Sequence, residues 1–292
     1  MQHNRRNVLK AGAATAAALM LPRTASADAR KDGASLDLGT HLLHEALIDF
    51  YESRSFRLVF GKPVVAEEQA FNGGLRYDET GVLDQPGTLA IQPCARIEDI
   101  ERKHDRTVLP LFHMFCCMKK PGMDPAASLA EALEFLVKAS GLDSRHLAFV
   151  STEQIAPLNP VLAEYGLDSS AQVHIRDRNT ALNAGDGSGF FRFPGNDNAR
   201  PFATIGLYCW IGAGPVETMA SYPPKPGWLE IGEVVIDENE DLAFAFGTER
   251  LGFARSGEIV SWQDRLLLLF EQVDRKTLGR TPPPGRDIFS KT

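Results

Sequence analysis

The residues best suited to chemistry concentrate in one stretch, AIQPCARIEDIERKHDRTVLPLFHMFCCM, from Ala90 to Met118. Arg96 and Glu98 stand two apart at the end of an apolar, strand-like run, so their side chains share a face. A guanidinium held there offers a planar fork to a carboxylate or a phosphate. Arg102, Lys103, His104 and Arg106 follow in a charged loop, a set of cations suited to a polyphosphate. On residue types alone, the hairpin fits an anion site or a solvated Arg–Glu face equally well. Farther along, Arg250 stands in LAFAFGTER, where a glycine permits close backbone approach and a helix start favours anions. His113 and Cys117 share a strand face four apart, but two ligands are too few for zinc. GDGSG (Gly185 to Gly189) lacks both the Gly-Lys-Ser/Thr of a phosphate cradle and the glycine spacing of a nucleophile elbow, and reads as a turn-rich loop.

The elements that must hold these residues follow from periodicity. TLAIQPCARI and VLPLFHMFCCM read as strands joined by EDIERKHDR. A helix is expected over residues 40–53, with Leu43, Ala46, Leu47, Phe50 and Tyr51 on one stripe, followed by a strand over 56–60. Loops rich in Gly, Asp and Glu fill 67–86. Beyond the prolines at 121 and 125, Leu129, Ala132, Leu133, Leu136 and Val137 define a second amphipathic helix that ends near Gly141. Strands are expected over 146–151 and 171–175, on either side of a short helix near 160–165, and another strand over 203–210. In WLEIGEVVI, strict alternation puts Trp228, Glu230 and Gly232 on one face and Glu233 on the other. A strand running into a helix over 242–254 and a closing helix over 262–272 complete an α+β pattern with a mainly antiparallel sheet flanked by helices.

Composition narrows the classes. A net charge of −7 argues against a general nucleic-acid binder, which needs a basic field, and leaves room for a local basic site. Four cysteines are too few for a disulfide-built fold and read as small core residues. Asn4-Arg5-Arg6-Asn7-Val8-Leu9-Lys10, then AGAATAAALML, then Ala25-Ser26-Ala27 give a charged start, an apolar run too short to span a bilayer and a small-residue exit. Residues 1–27 are therefore expected to be a twin-arginine signal peptide directing export to the periplasm. The alternative is a misassigned start on a cytoplasmic protein. Residues 28–39 read as a linker and 276–292 as a C-terminal tail.

Arg-x-Glu, a charged hairpin loop and an apolar strand with Phe112 together resemble motif 2 of the class II aminoacyl-tRNA synthetases. Gln92-x-Cys94-x-Arg96 is similar to the alanyl enzymes, and TVLPLFH to the phenylalanyl α-subunit. The helix, strand and Val59-to-Pro63 spacing resemble motif 1, Gly227-Trp228-Leu229-Glu230 the strand ahead of motif 3, and Gly247-Thr248-Glu249-Arg250 motif 3 itself. Gly214-Pro215-Val216-Glu217 resembles a segment lining the alanyl pocket. The resemblance implies a catalytic domain over 40–275 with an insertion at about 141–200, and a homodimer built on motif 1. It implies that the chain binds an amino acid and ATP with Mg²⁺, and activates the carboxylate as an acyl-adenylate. By residue, Arg96 would grip carboxylate and α-phosphate, with Glu98 and Arg106 beside it on the nucleotide. Phe112 would face the adenine and Arg250 would reach the terminal phosphates. Glu230 would meet Mg²⁺, and Glu217 and His113 would contact the amino acid. A chain of 292 residues leaves no room for an anticodon-reading module, so the acceptor is expected not to be tRNA. The alternative is an exported protein of the same fold that binds a small amino-acid-like ligand without adenylation. Val108 in place of a nucleotide-contacting His, and a motif 3 two residues short, favour it.

Overall fold

Leu43, Leu47 and Tyr51 are fully buried along one stripe of α1 (Gly33–Ser53), as their spacing requires, and the helix begins ahead of the expected residue 40. The computed structural model describes residues 33–59, 85–96, 99, 108–192, 200–219 and 221–256. The signal segment, the Gly61–Val65 corner, Glu98, the loop carrying Arg102, Lys103, His104 and Arg106, the expected 262–272 helix and the tail lie outside the described residues.

After α1 come β1 (Arg57–Leu58), β2 (Thr88–Ala95) and β3 (Leu111–Met118). Helix α2 (Pro125–Leu133) starts as its sequence dictates: Asp124 accepts a hydrogen bond from the Ala127 N–H at 2.7 Å, and Pro125 sits where no N–H is needed. It continues as a wider π-helical segment, Glu134–Ala139. Then follow β4 (Leu147–Ser151), α3 (Asn159–Glu164), α4 (Ser169–Gln172), β5 (Val173–Ile175), α5 (Arg178–Ala184) and β6 (Phe190–Phe191). The last elements are β7 (Phe202–Trp210), β8 (Trp228–Val235), β9 (Leu242–Gly247) and α6 (Thr248–Ser256).

The strands form one sheet in the order β1-β2-β3-β9-β8-β7-β4-β5, with β6 added on β7. Its long central pairings, from β2 across to β4, are all antiparallel; the parallel pairs are β1/β2 and β4/β5 at the two edges. The architecture is thus the expected α+β one, a mainly antiparallel sheet flanked by helices. Among the described residues no helix is long and apolar enough to cross a membrane.

The two faces of the sheet differ. On one, α1, α2 and α6 close over Leu89, Phe115, Cys117, Phe244 and Phe246, and Tyr51 stacks on Phe115 with ring centres 5.2 Å apart. Each large apolar side chain fully buried there contributes about 2 kcal/mol. On the other, smaller apolar clusters around Cys116, Met118 and Phe202, and around Tyr208, Trp210 and Trp228, leave a stretch of sheet between them for a cleft. All four cysteines are buried and outside any disulfide. Burial pushes the Cys94 thiol up to about 12 and raises Cys116 and Cys117 as well, so these three stay protonated thiols.

Candidate functional site

An open cleft of about 420 Å³ lies on the second face, where β2, β3, β9, β8 and α6 converge. Arg96, Phe112, Met114, Glu230, Glu233 and Arg250 line it. Arg96 leaves the end of β2, tied by its backbone N–H to the Pro110 carbonyl at 2.7 Å, and its guanidinium lies 5.0 Å above the Phe112 ring. Arg250, in the first turn of α6, donates through Nη1 to Glu230 Oε2 at 3.0 Å and to the Glu230 carbonyl at 3.4 Å. The sheet therefore brings together two guanidiniums from elements far apart in the chain, together with Glu230.

Glu233 is a correction to the alternation. A bulge shifts the β7–β8 register, so that Tyr208 pairs with Glu230 while Leu207 pairs with Gly232. Ile231 and Gly232 together oppose Leu207; Ile231, the residue the register skips, stays in the helix-side core, and the extra residue returns Glu233 to the face of Glu230. Only glycine fits at 232: a Cβ there would lie 2.2 Å from the Ala245 carbonyl oxygen. Burial pushes the Glu233 carboxyl up to about 8, with Glu230 and Asp186 adding to the rise and Arg96 opposing it.

The GDGSG stretch is the turn-rich loop its composition predicts, and it packs beside the cleft against Glu233. Arg176 donates from Nη1 to Asp186 Oδ1 at 2.7 Å and to the Ser188 carbonyl at 2.6 Å. Its guanidinium lies 3.9 Å from the centre of the Tyr222 ring, and the Tyr222 hydroxyl donates to Asp186 Oδ2 at 3.0 Å. Ser188 Oγ is 2.8 Å from the Tyr208 hydroxyl. This network fixes Gly187, at φ +89°, so close to Glu233 that a Cβ would meet its Oε2 at 2.6 Å. Glu233, Asp186, Arg176 and Tyr222 were all missed by sequence reasoning. The one available signal was an aspartate between two glycines, a spacing that lets backbone approach another chain segment closely.

The remaining expected site residues fall elsewhere. His113 points to the helix-covered face with Phe115, one step out of phase with Phe112. Its backbone N–H donates to Glu249 Oε2 at 2.7 Å, its Nδ1 lies 2.7 Å from Glu249 Oε1, and its ring meets that of His44 edge-on at 4.9 Å. His113 is not among the residues that line the cleft. Among the described residues no group of three or more His, Cys, Asp or Glu side chains could hold a metal ion, so His113 and Cys117 gain no third ligand. Glu217 sits on an exposed loop with Lys225 3.9 Å away, off the cleft. Glu98 and Arg106 lie outside the described residues.

Comparison with known proteins bears on the signal segment and on the fold. Residues 2–22 match the profile of the twin-arginine translocation pathway signal sequence, so the chain carries an export signal for that route. Among solved structures, apo histidyl-tRNA synthetase from S. aureus is similar over 88% of this chain and 80% of that one, at 12% identity and a TM-score of 0.42. No curated protein matches the sequence.

Proposed function

We propose that this is an exported class II synthetase-like protein that binds an amino acid and ATP and activates the carboxylate as an acyl-adenylate for a non-tRNA acceptor. One observation carries the reading: Arg96 and Arg250 line one cleft over an antiparallel floor. Formation of an acyl-adenylate is attack of a carboxylate oxygen on the α-phosphorus of ATP with loss of pyrophosphate. The protein's part in such a step is positioning and neutralisation of charge. Arg96 would hold carboxylate and α-phosphate together, Phe112 would offer its ring to the adenine, and Arg250 would take the terminal phosphates. Glu230 would supply one oxygen ligand to a Mg²⁺ held mainly by the phosphates, whose charge the ion would offset. Its pair with Arg250 at 3.0 Å must open for either residue to serve. A homodimer belongs to the same proposal and is tested by sedimentation.

That ion pair favours a second reading, an amino-acid-like ligand bound without adenylation. Among the described residues two guanidiniums, Arg96 and Arg250, line the cleft with two acidic side chains, Glu230 and Glu233, a balance of charge rather than an excess of cations. A small zwitterion suits that balance. Amino-acid-dependent exchange of pyrophosphate into ATP separates the two. Under the first reading exchange occurs and Arg96→Ala abolishes it. Absence of exchange with every amino acid, alongside a ligand-induced rise in Tm, establishes the second.

A further inference from the structure

Glu233 is unlike the other charged groups of the cleft because, among the described residues, no side chain pairs with it directly, and Arg96 acts on it only through the longer-range attraction of its charge. Glu230 has Arg250, Asp186 has Arg176 and the Tyr222 hydroxyl, and Arg96 lies over Phe112. Among the described residues no donor lies within hydrogen-bond reach of the Glu233 carboxylate, although it lines the cleft and is more than half buried. An unpaired acid in such a place is costly, and a protein of this size has simple ways to remove it. Two glycines instead accommodate it. The bulge at Ile231 and Gly232 turns Glu233 into the cleft, with Gly232 letting the backbone approach Ala245, and Gly187 vacates the space its carboxylate fills. The Arg176–Asp186–Tyr222 network holds Gly187 in that position from behind.

We infer that Glu233 reads the ligand's charge, taking an ammonium group of a small zwitterion whose acid end lies on Arg96. One carboxylate matches one ammonium in both charge and donor number. A divalent cation fits less well, because it needs several oxygen ligands and Arg96 stands in the same cleft. The inference rests on the cleft being the ligand site, as in the reading above, but not on adenylation.

The test compares amino acids with their 2-hydroxy acids (glycine with glycolate, alanine with lactate, phenylalanine with phenyllactate, and so on) by calorimetry on the full-length chain. The same measurements are made on Glu233→Gln, a neutral side chain of the same size. Wild type should prefer the amine of its best pair by about tenfold or more, and Glu233→Gln should bring that preference close to unity while retaining the hydroxy acid. Glu233→Asp, which keeps the charge and shortens the reach, should retain a reduced preference. No amine preference in wild type, binding of no amino acid, or a preference undiminished in Glu233→Gln overturns the inference. So does a Glu233-dependent rise in Tm with MgCl₂ alone, which would make the residue a metal ligand. Amine preference without pyrophosphate exchange defeats only the adenylation reading; exchange supported equally by hydroxy acids defeats only the role of Glu233.

Discussion

Two glutamates on opposite faces of the sheet show how this molecule separates support from function. Glu249 is 2% exposed and satisfied: it accepts from the His113 N–H, lies against the His113 ring, and has the Thr248 hydroxyl 3.1 Å away. That cluster ties the start of α6 to β3, and with it the position of Arg250 one residue on. Glu233 lines the cleft, only partly withdrawn from water, with no donor within reach among the described residues. The same side chain is a fastener where every acceptor is met and a candidate binding group where none is.

The largest effect expected from breaking this contrast is at the fastener. Glu249→Ala strands the buried His113 N–H and removes the anchor of α6, and should cost about 3 kcal/mol in urea denaturation. Next comes the bulge. Gly232→Ala drives a Cβ against the Ala245 backbone, which has little freedom to yield, and should cost about 2 kcal/mol while turning Glu233 away from the cleft. A loss of stability at 232 without loss of ligand binding would detach the bulge from the site.

The unpaired acid should act in the opposite direction. Its carboxyl is raised from 4.5 to about 8 in the folded protein, so the folded state holds this proton more tightly than the unfolded chain. The stability it confers is complete below the unfolded value and is lost as pH climbs through the folded one. Between about pH 4.5 and 8 the loss is up to about 1.4 kcal/mol per pH unit. Tm profiles of wild type and Glu233→Gln should therefore converge at low pH and separate progressively between about pH 4.5 and 8, with the variant the more stable above that window. Parallel profiles would mean that Glu233 is paired in solution.

The same contrast marks what the sequence could reveal. Strands β2, β3, β7, β8 and β9 and the core stripe of α1 were legible because apolar side chains recur at the period of each element. Alternation also carried a warning that went unused: Phe112 and His113 are neighbours on a strand and cannot both face the cleft. Glu233 was placed on the wrong face because counting by twos assumes an unbroken ladder, and the one residue inserted where Ile231 and Gly232 oppose Leu207 reverses every face after it. The packing of Asp186 and Gly187 beside that glutamate was illegible for another reason. It depends on Arg176 and Tyr222, which no local pattern links to the loop.

The smallest effect concerns the pair that decides between the two functional readings. Arg250 and Glu230 are 21% and 34% exposed, so water screens their attraction, and Glu230→Gln should change stability by less than about 1 kcal/mol. Its effect on ligands should be larger and differ in sign between readings. In an adenylating protein, Glu230→Gln frees Arg250 for phosphate but removes the Mg²⁺ ligand, so pyrophosphate exchange should fall while ATP-induced stabilisation without metal rises. In a protein that binds only a zwitterion, the same change makes the cleft more cationic. Acids lacking an amine should then gain affinity, and ATP should remain without effect on Tm. Measuring both responses in one variant separates a cleft primed for triphosphate from one balanced for a ligand carrying both charges.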